Sequence, residues 1–85
     1  MNLSKHEQRV LHVLALGGEI QYSRNGSSKI NEIACFSREG HILADCTIEI
    51  FQRLKNKKLI RSKNSAPYRI TALGASSVKS QMFQR

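Results

Sequence analysis

The spacing of apolar and polar residues near the N-terminus predicts an amphipathic helix. Apolar side chains recur from Val10 to Ala15 at the three- and four-residue spacing of one helix face. Ser4 is followed three residues later by Glu7, which is the capping-box pattern of a helix start. Glycines at positions 17 and 18 favour a helix end there, since glycine adopts the left-handed cap conformation readily. We therefore expect the first helix over about residues 5 to 16.

Alternating polarity after this helix predicts a three-stranded antiparallel meander. The first strand covers residues 19–24 and is followed by Asn25-Gly26, a strong signal for a tight hairpin turn. The returning strand spans about residues 29–37, and its apolar phase slips between Ile30 and Ile33, which predicts a bulge. A second turn at residues 38–40 and a short strand at residues 41–43 complete the predicted meander.

A second helix is predicted to begin after the meander, capped by Asp45 or Thr47. One side of this helix is expected to carry Ile48, Phe51, Leu54 and Lys58, with Ile50 at its flank. The opposite side is expected to carry Glu49, Gln52, Arg53 and Asn56. No glycine or proline interrupts the run, so a continuous helix is expected.

A basic hairpin and a weak helix are predicted to follow. The hairpin's first strand begins at Leu59-Ile60, turns at residues 64–67 and returns at residues 68–71. The last helix would place Ala75, Val78 and Met82 on one side, but Gly74 and three serines lower its propensity. We expect one α+β domain over residues 1–85, with a weakly structured tail from about residue 76.

Charge divides the chain near residue 50. All six acidic residues lie at or before Glu49, and the first 49 residues carry only five basic ones. The nine basic residues after that point are Arg53, Lys55, Lys57, Lys58, Arg61, Lys63, Arg69, Lys79 and Arg85. Such a one-signed surface is typical of proteins that meet a polyanion. The alternative is a solvated face that serves only solubility.

Composition excludes several other classes of protein. No apolar run approaches the roughly 20 residues of a membrane span, and the N-terminus has no signal-peptide pattern. A cytoplasmic location without a membrane partner is therefore expected. The two cysteines, Cys35 and Cys46, are expected to be reduced and mostly buried, since free cysteine packs like a small hydrophobe.

The C-terminal pattern looks like the second half of a winged-helix domain. TIEIFQRLKNKKLIRS forms the helix and first strand, and YRITALG closes the hairpin. In such domains the helix enters a DNA groove, and lysines and arginines on helix and wing release counterions from phosphates. The candidate nucleic-acid or partner-binding residues are Gln52, Arg53, Asn56, Lys57, Lys58, Arg61, Lys63 and Arg69. Gln52, Arg53 and Asn56 are chemically able to read base edges.

The first half departs from the ordinary winged-helix pattern. A helix-turn-helix needs a helix immediately before the groove-reading helix, but the meander occupies that place. We therefore expect a winged-helix-like variant in which a sheet replaces the supporting helix. That change weakens base readout and leaves room for a protein partner, for which Arg38 and Glu39 at the second turn are candidate contacts.

The chain resembles a known family over about residues 1–71. The segment CFSREGHILADCTIEIFQRLKNKKLIRSKNSAPYRI closely resembles the YjhX toxin family of small bacterial proteins, and the opening MNLSKHEQRVLHVLALGGEI fits the family's start. The most specific parts are Ser37–Gly40, Asp45-Cys46, Leu54–Ile60 and Pro67–Ile70. The resemblance implies the toxin of a toxin–antitoxin pair that inhibits bacterial DNA topoisomerase I by direct binding, with a cognate antitoxin relieving the inhibition.

The resemblance brings no contact residue with it, so the site residues rest on charge and pattern alone. A type I topoisomerase holds single-stranded DNA in a basic channel, which would repel a basic protein when empty. Inhibition therefore runs either through the DNA strand or through an acidic or apolar surface elsewhere on the enzyme. The rival interpretation is a DNA-binding winged-helix transcriptional regulator.

Metal and catalytic sites are not favoured by the sequence, and no cofactor or small-molecule substrate is expected. Cys35, His41 and Cys46, with His6 or His12 added, match no common zinc spacing. Asp45, Cys46 and His41 form only a nominal nucleophile, base and orienting group, and Asp45 fits better as a helix cap. A ribonuclease using histidines is also disfavoured, because His6 and His12 lie on different sides of one helix. We expect a protein that acts by binding and not as an enzyme.

Overall fold

The elements alternate between helices and short antiparallel strands. The computed structural model describes residues 3–24, 26 and 29–82. The elements are α1 Lys5–Ala15, β1 Glu19–Arg24, β2 Ile30–Phe36, β3 Ile42–Leu43, α2 Ile48–Asn56, β4 Ile60–Arg61, β5 Arg69–Ile70 and α3 Ala72–Met82. Together they form a small α+β domain, which confirms the predicted fold class, while the winged-helix assignment stays a prediction.

The meander has the predicted order, β1-β2-β3, and all its pairings are antiparallel. Ser23 pairs with Glu32 and Arg24 with Ile30, so Asn31 has no register partner. The predicted bulge between Ile30 and Ile33 is therefore confirmed. Within the predicted Asn25-Gly26 turn, Asn25 lies outside the described residues, and Gly26 has the positive φ of +71° that such turns require.

Strands β4 and β5 form a separate hairpin that a β-bridge between Ile20 and Tyr68 joins to the meander. The Ile20 amide donates to the Tyr68 carbonyl at 2.9 Å, and the Tyr68 amide donates to the Ile20 carbonyl at 2.8 Å. Because Ile20 also pairs with Cys35 on β2, strand β1 lies between β2 and the hairpin. The hairpin is thereby held beside β1 by a reciprocal pair of backbone hydrogen bonds.

One hydrophobic core joins the helices to one face of these strands. Helix α1 buries Val10, Leu11 and Leu14, and α2 buries Ile50, Phe51 and Leu54. The sheet contributes Ile20, Cys35, Ile60 and Tyr68. The Tyr68 ring lies edge-on to Phe51, with centroids 4.9 Å apart, and this aromatic contact fixes the hairpin against α2.

The helix starts confirm the capping box of α1 and one of the two caps predicted for α2. Ser4 and Glu7 form the predicted capping box at α1. The cap of α2 is Thr47, whose side-chain oxygen accepts from the Ile50 amide at 3.3 Å. Asp45 does not cap the helix, because its carboxylate lies 3.2 Å from the Arg9 guanidinium instead.

The end of α2 corrects the predicted position of Lys58. The helix stops at Asn56, and Lys57 is its C-cap. Lys58 then adopts a left-handed conformation with φ of +61° and is exposed, so it does not share the apolar stripe of Phe51 and Leu54. The turn redirects the chain from the helix into β4, whose preceding residue Leu59 is fully buried.

Helix α3 spans Ala72–Met82, where the last helix was predicted. The weakly structured tail expected from about residue 76 stays a prediction. Val78 is buried as predicted, but Ala75 is exposed, and the Met82 side chain lies outside the described part. Gly74 is buried because α3 passes directly over the Leu59 carbonyl, and an added Cβ would also lie 2.7 Å from Ile70 Cγ1. The close approach of α3 to the Leu59 backbone therefore explains the glycine at this position. In the sequence, Gly74 was recognisable only as a residue of low helix propensity.

Candidate basic interface

Helix α2 presents a polar, basic face to solvent. Gln52, Arg53 and Asn56 are exposed, as predicted, and Lys55 is exposed beside them. The opposite face is anchored because Phe51 and Leu54 are buried in the core. The three residues able to read base edges therefore lie on one exposed helix surface.

The hairpin adds a second group of cations. Arg61 and Arg69 are register partners across β4 and β5, and both are exposed. Like charges directly opposite one another on a sheet are unfavourable. The Glu19 carboxylate, 3.1 Å from the Arg69 guanidinium, offsets this repulsion from the neighbouring β1 strand. Lys63 is exposed at the start of the hairpin turn.

Lys57 has a different environment from the other predicted site residues. Its ammonium lies 2.7 Å from Glu7 Oε2, and the Glu7 residue is only 3% exposed. Burial by itself raises the pKa of Glu7, but hydrogen bonds from Lys57 and Ser4 outweigh it and hold the pKa below its usual value. The ion pair joins the C-terminal end of α2 to the N-terminal turn of α1.

Five other basic residues have no such partner. In residues 3–24, 26 and 29–82, no carboxylate lies within ion-pair distance of them. These residues, called the unpaired cations below, are Arg53, Lys55, Lys58, Arg61 and Lys63, and all five are exposed. Lys57 and Arg69 are called the paired cations. The predicted basic surface thus divides into residues held by carboxylates and residues whose charge is directed only to solvent.

Three of the unpaired cations border an apolar groove. Lys55, Lys58 and Arg61 line a groove of about 670 Å³ whose other lining side chains include Ile60 and Leu73. Leu73 is 48% exposed, although it is a large hydrophobic residue at the start of α3. The groove lies between the end of α2, strand β4 and the first turn of α3 and has no acidic residue in its lining. It is called the basic groove below.

The sequence predicted the positive charge of this region but did not predict the groove. Lys55 was counted among the basic residues but was not selected as a site residue, and Leu73 was not singled out at all. The signal available in the sequence was a large apolar residue directly after the hairpin. Only the packing of α3 against Leu59 shows that Leu73 lies beside Lys58 and Arg61.

The predicted contact residues Arg38 and Glu39 lie in the turn between β2 and β3. Both are exposed, and the turn is closed by a 2.8 Å hydrogen bond from the Ser37 amide to the His41 carbonyl. The aliphatic part of Arg38 lies over Gly17, where an added Cβ would be 3.2 Å from Arg38 Cδ. Through this contact the turn packs against the residues that follow α1.

The residues weighed for metal binding do not form a ligand cluster. Among the described residues, no group of three or more His, Cys, Asp or Glu side chains is placed to hold a metal ion. His6, His12 and His41 are all exposed, whereas Cys35 is buried in the core and Cys46 is half-buried. In the same part of the chain, the helices are too short or too polar to cross a bilayer.

Comparison with known proteins identifies the family. A family model described as "Putative toxin of bacterial toxin-antitoxin pair", YjhX_toxin, matches residues 1–85. A UPF0386 protein of Aliivibrio fischeri is 60% identical over the whole of both chains, and one of Beijerinckia indica is 52% identical over the same extent. A third, from Caulobacter vibrioides, is 46% identical over all of this chain and 93% of its own. No solved structure matches the chain. The match along the full length shows that the chain belongs to the YjhX toxin family.

Proposed function

We propose that this protein is the toxin of a toxin–antitoxin pair, that it acts by binding and not as an enzyme, and that it inhibits bacterial DNA topoisomerase I. The observation that carries the proposal is the set of five unpaired cations on α2, β4 and the hairpin turn. A toxin with this surface is suited to a target that itself works on DNA.

The basic groove supports a direct contact with the enzyme. A nucleic-acid backbone needs exposed cations but no apolar floor, whereas Ile60 and Leu73 line this groove together with Lys58 and Arg61. We propose that the groove receives an acidic surface of topoisomerase I from which an apolar side chain projects. Charge complementarity would speed the encounter, and burial of Leu73 would hold the complex.

The exposed face of α2 supports a contribution from DNA to the same complex. We propose that the domain is of winged-helix type, with α2 as the groove-reading helix and the β4–β5 hairpin as the wing. Gln52, Arg53 and Asn56 lie on one exposed helix face, and Lys63 lies at the hairpin turn. A cognate antitoxin with an acidic patch would relieve inhibition by covering the unpaired cations.

The decisive experiment combines a supercoil-relaxation assay with a pull-down of topoisomerase I from which DNA has been removed by nuclease. The proposal expects slower relaxation and enzyme retained on the immobilised protein without DNA. Arg61→Glu should lose both effects, because it reverses a charge at the groove. Lys5→Glu is the matched control, since it makes the same charge change at an exposed position of α1. Undiminished relaxation together with an empty pull-down would refute the proposal.

A DNA-binding regulator is the second candidate, favoured by the polar α2 face alone. A regulator of this kind would bind duplex DNA with an affinity that falls steeply with salt. Gln52→Ala and Asn56→Ala would then reduce discrimination between sequences while leaving non-specific binding intact. Retention of topoisomerase I in the DNA-free pull-down, unaffected by these two changes, would favour the toxin over the regulator.

A further inference from the structure

The outer half of β1 has no strand paired to it on the side of the hairpin. Ile20 exchanges both of its backbone hydrogen bonds with Tyr68, so its amide and carbonyl point away from β2. Backbone groups of a strand point to the same side at every second residue, so those of Tyr22 point the same way. Continued antiparallel pairing would bring Ala66 opposite Tyr22. Ala66 belongs instead to the hairpin turn, where its amide donates to the Lys63 carbonyl at 3.0 Å.

A cleft of about 400 Å³ lies between this part of β1 and the hairpin turn, and its size is that of a small-ligand site. Its lining residues are Gln21, Tyr22, Ser23, Arg24, Ser65 and Pro67. Successive side chains of a strand alternate between the two faces of a sheet, so four consecutive lining residues mean that the edge of β1 borders the cleft. In residues 3–24, 26 and 29–82, no hydrogen bond from another element reaches the Tyr22 amide or carbonyl. Both groups are therefore available to a ligand in the cleft.

The cleft also carries a positively charged planar group. The Arg24 guanidinium carbon lies 5.2 Å from the centroid of the Tyr22 ring, and that ring is edge-on to Tyr68 with centroids 5.4 Å apart. Arg24 is exposed, and no carboxylate in the described part of the chain lies within ion-pair distance of it. The described lining of the cleft contains no acidic residue either. The aromatic contact thus holds an unneutralised guanidinium beside the free edge of β1.

These groups match the chemistry of an unstacked nucleobase. The edge of a base carries neighbouring hydrogen-bond donors and acceptors, which a backbone amide and carbonyl can pair with. The face of a base stacks on aromatic rings and on arginine guanidinium planes. Lys63 is an exposed, unpaired cation in the same hairpin turn as Ser65, where it can neutralise a phosphate. In a duplex the bases are stacked and paired with one another, so only a single strand offers a base in this way.

We propose that the cleft between β1 and the hairpin turn binds one base of a single-stranded nucleic acid. The base stacks against the Arg24 guanidinium, its edge hydrogen-bonds to the Tyr22 amide and carbonyl, and Lys63 contacts a neighbouring phosphate. This site is separate from the exposed face of α2, for which a contact with a duplex groove is proposed above. The two surfaces would then recognise different forms of nucleic acid.

The test measures binding of the full-length protein to an oligothymidylate of roughly six nucleotides that contains one 2-aminopurine, a base whose fluorescence is quenched by stacking. The proposal expects quenching on binding and a shift of the Tyr22 amide resonance in the NMR spectrum. Arg24→Lys keeps the charge but removes the planar group, so it should abolish quenching and weaken binding about tenfold with an unchanged salt dependence. Arg38→Lys is the matched control, since it makes the same exchange at an exposed position outside the cleft, and it should behave like wild type.

Three results would overturn the proposal. The first is an absence of quenching, whether or not the strand binds. The second is a Tyr22 amide resonance that does not move on binding, and the third is equal quenching by Arg24→Lys and wild type. An oligouridylate with the same reporter base distinguishes RNA from DNA as the source of the base, and quenching with either strand supports the site. Because the assay contains no topoisomerase I, its failure leaves the proposed inhibition standing, and failure of the relaxation assay leaves this site standing.

Discussion

The paired and unpaired cations of this protein belong to the same basic stretch of sequence but have different environments. Lys57 and Arg69 reach back to Glu7 and Glu19 in the part of the chain that holds every carboxylate. Arg53, Lys55, Lys58, Arg61 and Lys63 have no such partner among the described residues. The paired cations thus hold the acidic half against the basic half, and the unpaired cations give the surface its charge.

The two ion pairs also differ in their exposure to solvent. Glu7 is buried and receives hydrogen bonds from both Ser4 and Lys57, whereas the Arg69 side chain of the other pair is 61% exposed. A buried carboxylate without its partner is costly because it has lost its solvent, but an exposed one regains water. Breaking the ion pair of Glu7 should therefore cost more stability than breaking the ion pair of Glu19.

The largest expected effect is on the buried pair. Lys57→Met leaves the Glu7 carboxylate buried without its ammonium, and we expect a loss of about 2–4 kcal/mol in the free energy of unfolding. Urea denaturation followed by circular dichroism measures it. Lys55→Met is the matched control, because Lys55 is exposed and unpaired, and its effect should stay within about 0.5 kcal/mol. Equal losses in the two variants would break the distinction between paired and unpaired cations.

The same pair gives stability a defined dependence on pH. Because the folded-state pKa of Glu7 is lowered, its contribution is complete above the usual glutamate pKa of about 4.3. It is lost as the pH falls below that value and through the lowered pKa. Denaturation curves of wild type and Glu7→Gln should therefore converge under acid conditions and separate near neutrality. A constant difference between them across this range would contradict the assignment.

The next largest effect on stability is expected for Gly74→Ala, which changes the shape of the molecule but not its charge. Gly74→Ala places a Cβ against the Leu59 carbonyl and 2.7 Å from Ile70 Cγ1, so α3 must move away from the hairpin. We expect a loss of about 1–3 kcal/mol in the free energy of unfolding, although alanine is the better helix former. Ser76→Ala, at an exposed position of the same helix, should be neutral or slightly stabilising.

The Gly74 variant also separates shape from charge in binding. It displaces Leu73 while leaving Lys55, Lys58 and Arg61 in the chain. If the basic groove binds topoisomerase I, the enzyme should be lost from the pull-down while non-specific DNA binding is retained. Retention of both activities would show that the apolar part of the groove is not used.

A smaller effect is expected for single unpaired cations in DNA binding. Arg61→Gln should reduce the slope of log affinity against log salt by about 1, as for the loss of one phosphate contact. Arg69→Gln should change it less, because Glu19 already neutralises that guanidinium. Fluorescence anisotropy over a salt series measures both slopes. Identical slopes in the two variants would show that the Glu19 ion pair does not distinguish them.

The smallest expected effect is on the exposed pair itself. Glu19→Gln should cost about 0.2–1 kcal/mol in the free energy of unfolding, in keeping with a solvent-accessible ion pair. It should at the same time release Arg69 and raise the affinity for DNA slightly. Glu39→Gln, at an exposed turn without an ion pair among the described residues, removes the same charge and should leave stability unchanged. A larger stability loss at Glu19 than in Lys57→Met would reverse the ranking of the two pairs.

Local signals in the sequence were sufficient for most elements of the fold. The Ser4–Glu7 capping box, the bulge near Asn31 and the exposed face of α2 were all predicted correctly, because each depends on neighbours within one element. For the cap of α2 the sequence left Asp45 and Thr47 as alternatives, and a distant residue decides between them. Asp45 is a good cap by type, but Arg9 attracts its carboxylate, and Thr47 is left to cap α2.

The division of the basic residues into paired and unpaired cations could not be predicted from such local signals. Lys57 and Lys58 are adjacent and chemically alike, yet one reaches Glu7 across the core and the other turns outward at a left-handed residue. Gly74 looked like a weak point of α3, but it is the position where α3 contacts the backbone at Leu59. Both outcomes depend on how α1 and α3 pack against α2 and the hairpin.

By itself, the sequence determined the order of helices and strands, the concentration of positive charge after Glu49 and the family resemblance. These properties depend on residue spacing, capping and composition, which are local. Only the tertiary structure decided which cations are neutralised and where Leu73 meets Lys55, Lys58 and Arg61 in the basic groove. Ion pairs and grooves require atoms within a few ångströms, and distances across the chain are set by packing.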